Sequence, residues 1–135
     1  MARDVELTDE EWKERLSPER FAVLRQSATE PAWSGKLLHV DTEGVFHCAG
    51  CGAELFSTEH KFDSGSGWPS FDRAIRDGTI EEHLDLSFGM RRTEIRCARC
   101  GGHLGHLFDD GPTETHLRYC VNSLALEFIP EGETR

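Results

Sequence analysis

Five cysteines and seven histidines carry most of the reactive chemistry in this 135-residue chain. Cys48 and Cys51 lie in Cys-Ala-Gly-Cys-Gly, and Cys97 and Cys100 in Cys-Ala-Arg-Cys-Gly, two copies of one pattern with 45 residues between them. Two residues between thiolates let a tight turn aim both sulfurs at one ion, and the glycine that follows relieves crowding in that turn. Two such turns complete a tetrahedral shell, so Cys48, Cys51, Cys97 and Cys100 are expected to hold a structural zinc ion. A single Cys-x-x-Cys also reads as a redox dithiol or as buried thiols, and it is the doubling that favours metal. The separation exceeds the about 15–20 residues of short zinc modules, so the ion would clamp remote parts of a larger domain.

Cys120 stands outside both half-sites. In Leu117-Arg-Tyr-Cys-Val-Asn122 a strand's period of two sends Leu117, Tyr119 and Val121 to one face and Arg118, Cys120 and Asn122 to the other. A cysteine flanked by a permanent cation and an amide is not dressed as an inert core thiol, although a lone cysteine is most often a small core hydrophobe. Arginine beside sulfur favours the thiolate, which is the attacking species, so Cys120 reads as a nucleophile.

His103 and His106 sit among glycines in Gly101-Gly-His-Leu-Gly-His106, ahead of Asp109, Asp110 and Gly111. Residues three apart face opposite ways in a regular strand, so the two imidazoles converge only if the chain bends. Together they suit proton donation to a departing oxygen, with a metal pair as the competing use. Asp63 to Phe71 is a glycine-loosened turn that presents Trp68 and Phe71. Its rings are either core anchors or an apolar wall for a small methyl-bearing group.

The elements that must carry these residues follow from patterning. Thr8 with Glu11 forms a capping box ahead of Trp12 and Leu16, and Ser17-Pro18 opens a second short helix bearing Phe21 and Leu24 that ends before Glu30-Pro31. From Lys36 onward, short stretches punctuated by glycine, such as Gly44 to Cys48 and Arg91 to Cys97, predict strands. The basic residues Arg91, Arg92, Arg96 and Arg99 read as a solvated strand face in preference to an anion site. A single domain over 1–135 is expected, helical over 1–30 and frayed over 131–135. Fifteen basic against twenty-five acidic residues give 15 − 25 = −10, which disfavours nucleic acid and anionic membranes. No apolar run approaches the about 20 residues of a membrane span, and Met1 to Leu16 lacks the pattern of a signal peptide, so a cytoplasmic location is expected.

Phe-Asp-Ser-Gly-Ser-Gly-Trp-Pro-Ser-Phe, Arg-Cys-Ala-Arg-Cys-Gly-Gly-His-Leu-Gly-His-Leu-Phe and Arg-Tyr-Cys-Val-Asn-Ser together resemble the methionine sulfoxide reductase B family. The likeness runs from about Thr29 to Phe128. It implies a mainly β fold of two twisted antiparallel sheets, tent- or barrel-like, braced by structural Zn2+. It implies reduction of methionine-R-sulfoxide in proteins and peptides. Matched to the family's motifs, Cys120 is the nucleophile, and His103 and His106 bind and protonate the sulfoxide oxygen. Trp68, with Phe71 beside it, packs on the substrate methyl. Arg118 and Asn122 support thiolate and substrate, and Asp110 orients the histidines. Attack leaves Cys120 as a sulfenic acid. Many members carry a second cysteine where this chain has Ser66, so direct reduction by thioredoxin or a small thiol is expected here. Trp33 stands where a smaller aromatic is usual. The reading from another class is a noncatalytic zinc-braced binding module, which would leave the Cys120 face and the histidine pair without a purpose.

Overall fold

The computed structural model describes residues 5–132, so positions 1–4 of the helical segment and 133–135 of the tail lie outside the described residues. Helix α1 (Asp9–Arg15) begins where the capping box places it: Thr8 Oγ1 accepts from the Glu11 amide at 3.2 Å, and the Glu11 carboxylate accepts from the Thr8 amide at 3.0 Å. Helix α2 (Pro18–Gln26) is capped by Ser17 and stops at Ser27, whose left-handed φ of 58° ends the helical hydrogen-bonding. Trp12, Phe21 and Leu24 are buried, and Arg25 donates to the Cys100 carbonyl at 2.9 Å, which ties α2 to the second cysteine turn.

Beyond α2 the described chain is mainly strands, as expected, joined by irregular segments and three single 3-10 turns. The strands are β1 (Gly44–Cys48), β2 (Glu54–Ser57), β3 (Lys61–Phe62), β4 (Ser70–Phe71), β5 (Ile80–Asp85), β6 (Arg92–Cys97), β7 (His103–Phe108), β8 (Arg118–Val121) and β9 (Leu126–Pro130). They form two antiparallel sheets, a three-stranded one ordered β2-β1-β9 and a six-stranded one ordered β3-β4-β8-β7-β6-β5. At the C-terminal end, the Glu131 amide donates to the Glu43 carbonyl at 2.8 Å, so the chain stays attached past β9. Glu131, expected to belong to a frayed tail, is held by this bond.

Aromatic rings join the sheets. Phe71 of β4 stacks on Phe56 of β2 with centroids 4.3 Å apart and planes 15° from parallel, and meets Phe46 of β1 edge-on at 5.0 Å. Phe71 is fully buried. Its expected place at the substrate is therefore corrected: the strand period sends residue 71 to the core face and its neighbour Ser70 to the other. The Phe71→Leu variant is expected to lose about 1 kcal/mol of stability through the broken ring stack. A lower denaturant midpoint with an unchanged KM for a sulfoxide peptide checks this, and the reverse pattern would return Phe71 to the substrate.

Candidate active site

Registers across the six-stranded sheet align one row of side chains on the face away from the aromatic core. His83 of β5 lies opposite Glu94 of β6, Glu94 opposite His106 of β7, His106 opposite Cys120 of β8, and Cys120 opposite Ser70 of β4. Directly opposed residues on one face hold their Cβ atoms about 4.5–5.5 Å apart, so an imidazole beside the Cys120 sulfur follows from pairing alone.

His103 reaches this face through a β-bulge. Ile95 pairs with Gly105 but the next residue, Arg96, pairs with His103, so Leu104 is the extra residue that turns the chain by one side-chain position. The two rings then meet edge-on at 5.7 Å. Gly105 matters for close approach, since a Cβ there would overlap the Cys120 carbonyl oxygen.

Each imidazole is held by a carboxylate. His103 Nδ1 lies 2.6 Å from Glu94 Oε2, and His106 Nε2 lies 2.8 Å from Asp85 Oδ2. Burial pushes the His103 imidazole down, and Glu94 only partly offsets this, so the ring is neutral at pH 7 and donates through Nδ1. Burial works to raise Glu94, but hydrogen bonds from Arg96 at 2.8 Å and from His103 together hold it below the usual carboxylate range. The His106 bond, followed by those from Ser87, holds Asp85 well below its usual range. His103 Nε2 is buried without a protein hydrogen-bond partner.

Cys120 lies on the wall of a cavity of about 250 Å³ that includes Ser66, Trp68, Arg92, His106, Arg118 and Asn122. That is below the about 300–1,000 Å³ of typical ligand pockets and suits one side chain better than a large cofactor. Burial pushes the Cys120 thiol above its ordinary value, outweighing the Ser66 hydroxyl at 4.0 Å and the Arg118 charge, both of which pull it down. Arg118 thus favours the thiolate as expected of it, but desolvation outweighs it.

A chain of hydrogen bonds fixes the walls of the cavity. The Leu104 carbonyl, which continues the β7–β8 ladder, accepts from both the Asn122 amide and its Nδ2 at 2.9 Å. Asn122 Oδ1 accepts from the Glu30 amide at 3.0 Å, and the Glu30 carbonyl accepts from Trp68 Nε1 at 3.0 Å. Trp68 and Asn122 are thereby held at the wall of the cavity beside Cys120.

Other expectations are corrected. Asp110 makes a two-pronged pair with Arg118, at 2.8 and 3.2 Å, and does not touch the histidines. The β7–β8 turn returns Asp110 over Arg118, so it orients the guanidinium, while Asp85 and Glu94 serve the imidazoles. Arg92 and Arg96 are not a solvated face: they pair with Asp85 at 3.4 Å and Glu94 at 2.8 Å. The sequence reading missed Asp85, Glu94, Arg92 and Glu30. Alternation in Arg92-Thr-Glu-Ile-Arg96 was the available signal for the β6 pair, but nothing local marked Asp85 or Glu30, which arrive through pairing and long-range contact.

The four remaining cysteines converge, their sulfurs all within 4.8 Å of one another. Cys48 and Cys100 Sγ are 3.7 Å apart, and Cys51 and Cys97 Sγ 3.6 Å. A tetrahedron with bonds of about 2.3 Å has edges of ~3.8 Å, so the cluster is the right size to hold a metal ion on four thiolates. It joins β1 of one sheet to β6 of the other.

The chain matches the SelR domain over residues 16–130. It is 52% identical over 131 residues to a peptide methionine sulfoxide reductase MsrB of Chromohalobacter salexigens, covering 96% of this chain and 98% of that one. A relative of the same name from Leptospira interrogans is 51% identical over 131 residues, 97% of this chain and all of its own. One from Leifsonia xyli is 54% identical over 127 residues, covering 93% and 91% respectively.

Because the Cys120 thiol lies above its ordinary value, its alkylation by iodoacetamide is expected to be slow at pH 7 and to rise with pH through an apparent pKa higher than that of a free thiol. Arg118→Ala removes a group that lowers it, so the midpoint moves higher still. Site-resolved mass spectrometry over pH 6–11 measures both, and a midpoint below the free-thiol value would contradict the burial argument.

Proposed function

The chain belongs to the methionine sulfoxide reductase B family, and from that membership we propose that it is a peptide-methionine (R)-S-oxide reductase working through Cys120. The observation that carries this is the cross-strand placement of His106 beside Cys120 on the wall of a cavity sized for one side chain. Residues 1–135 act as one domain, with methionine-R-sulfoxide in oxidised proteins or peptides as substrate and repair of oxidative damage as the outcome. No helix among the described residues is long and apolar enough to cross a membrane. A reducing cytoplasm suits five cysteines that form no disulfide.

The sulfoxide side chain enters with its methyl group against Trp68 and its oxygen toward His106 and the unpartnered His103 Nε2. A Cys120 thiol that is protonated in the free protein brings the proton the reaction needs. It passes through His106 to the sulfoxide oxygen as the sulfur attacks, and Arg118 and Asn122 steady the developing thiolate. The sulfur–oxygen bond of the substrate breaks, the hydroxyl passes to Cys120, and methionine leaves reduced by two electrons with Cys120 as sulfenic acid. Asp85 and Glu94 keep each imidazole in one orientation throughout.

Ser66 Oγ is the hydroxyl nearest the Cys120 sulfur, at 4.0 Å, and cannot form a disulfide. The other four thiols are committed to the metal cluster. Thioredoxin or a small thiol therefore reduces the sulfenic acid directly. Ser66 and Arg118 also line an adjoining cavity of about 340 Å³, which supports a second approach to the sulfur. The donor set and the tetrahedral size fit zinc, a structural ion held by Cys48, Cys51, Cys97 and Cys100 with no open position for chemistry.

One turnover with each epimer of a methionine sulfoxide peptide, without reductant, is expected to add one oxygen to the intact protein with the R epimer only, and Cys120→Ser is expected to add none. A loss of two hydrogens would mean that another cysteine resolves the intermediate, and no change with either epimer would favour the binding-module reading. Removing the metal with a strong chelator is expected to lower the melting temperature and abolish turnover together, because the ion's binding energy is part of the folding energy. Full activity in a folded, metal-free protein would show that the four thiols do not need the ion.

A further inference from the structure

The strongest unexplained surface lies at the rim of the Cys120 cavity. Leu86-Ser-Phe-Gly-Met90, the turn between β5 and β6, carries no charge in a chain that is 30% charged. Leu86 is 60% exposed, Phe88 88% and Met90 45%. Phe88 takes a left-handed φ of 57°, a conformation a bulky residue rarely adopts, with its ring in solvent. Leu84 is also exposed but opposes Thr93 in the row that continues to Leu107 and Tyr119, on the other face, and is not part of this surface.

The turn is continuous with the cavity. It springs from the last pair of the β5–β6 ladder, Asp85 opposite Arg92. Asp85 holds His106, and Arg92 lines the cavity. At the β4 end of the same sheet, Trp33 is 62% exposed and its amide donates to the Gly67 carbonyl at 2.7 Å, beside Ser66 and Trp68. Apolar side chains thus flank the mouth at both ends of the row of strands.

We propose that Leu86, Phe88 and Met90 are a docking surface for apolar residues that flank methionine sulfoxide in an extended segment of substrate polypeptide. The proposal rests on the reductase reading and adds how that site chooses among segments. Strands are about 4.8 Å apart and residues about 3.3 Å along one. The turn, some two strands across from a sulfoxide held over His106 and Cys120 and about three residues beyond their row, therefore lies roughly 10–15 Å from it, or about three to five residues of extended chain. Methionine belongs with the residues most often buried, so chain neighbours of an oxidised methionine released from a core are frequently apolar. Exposed apolar side chains around a pocket of single-residue size match that partner. The turn serves the substrate and not the thiol that reduces Cys120, whose requirement is access to one sulfur.

The test uses three fluorescein-labelled peptides of the same length with one central methionine-R-sulfoxide, the first two of the same composition. Leu and Phe stand three and four positions from the sulfoxide in the first, eight and nine positions away in the second, and are replaced by Ser and Gln in the third. Binding to Cys120→Ser protein is read by anisotropy, and KM on active enzyme is measured with dithiothreitol. The first peptide is expected to bind about tenfold more tightly than the other two, a difference of the size expected when a few apolar contacts are made. Leu86→Ser with Phe88→Ser is expected to erase that difference, with the melting temperature and the kcat/KM for N-acetyl-methionine sulfoxide unchanged. Phe88→Ser alone is expected to erase part of it.

Equal binding of all three peptides overturns the proposal. So does an equal loss on peptide and small substrate, which would mark the turn as structural. An unchanged peptide KM with a raised KM for thioredoxin would assign the surface to the reductant instead. If nothing is reduced, the reductase reading fails, while the anisotropy series still decides the docking surface.

Discussion

A strand alternates its side chains with a period of two, and positions 103 and 106 cannot share a face of a regular strand, yet the two imidazoles meet edge-on at 5.7 Å on the face that carries Cys120. One extra residue, Leu104, resolves the conflict. The bulge turns His103 to the face already occupied by His106, while the Leu104 carbonyl stays in line with the β8 ladder. Asn122 takes that carbonyl with two donors and hands its own oxygen to the Glu30 amide, whose carbonyl holds the Trp68 indole. Leaving a buried amide or carbonyl unpaired costs about 1–3 kcal/mol, so each member depends on the next. The bulge, the wall of the cavity and the approach to Cys120 form one hydrogen-bonded assembly.

Electrostatics at the site are a contest between burial and partners, and the outcome differs by group. His103 is buried deeply enough that its carboxylate does not restore an ordinary imidazole, so Glu94 works as an orienting acceptor. Asp85, nearer to solvent, stays ionised under the pull of its donors. Cys120 shares the fate of His103: Arg118 is close, but the guanidinium is already engaged by Asp110, and desolvation prevails. A buried thiol held above its ordinary value is oxidised less readily than a thiolate.

The local parts of this arrangement were legible in the sequence. The capping box at Thr8, the Ser17-Pro18 start, strand β1, strand β6 and the four metal cysteines are written in short windows, and so is the split of Arg118 and Cys120 from Tyr119 and Val121. Phe71 was misplaced because Gly and Pro around Trp68 concealed that β4 resumes the two-residue period at Ser70. Asp110 was credited with the histidines because it follows them in sequence, whereas the groups that hold them come from β5 and β6 by pairing. Glu30 reaches Asn122 across 92 positions of chain, and no local pattern could announce that contact. The bend between His103 and His106 was required by the chemistry, but the means was not foreseeable: the glycines do not bend the chain by themselves, and an unpaired leucine does.

The metal cluster and the bulge are neighbours for a mechanical reason. The turn from β6 to β7 is itself the second cysteine pair, closed by the Cys97 amide on the Gly102 carbonyl at 2.9 Å and by the Gly101 amide on the Cys97 carbonyl at 2.8 Å. The first ladder pair beyond it is Arg96 with His103, and the extra residue comes immediately after. Whatever fixes that turn fixes the register of β7 on β6, and a slip of one residue would carry His106 to the opposite face. Cys48 and Cys51 anchor the same cluster to the other sheet, and α2 grips it through Arg25 on the Cys100 carbonyl. Four cysteines remote from Cys120 thus help to set which side of β7 faces it.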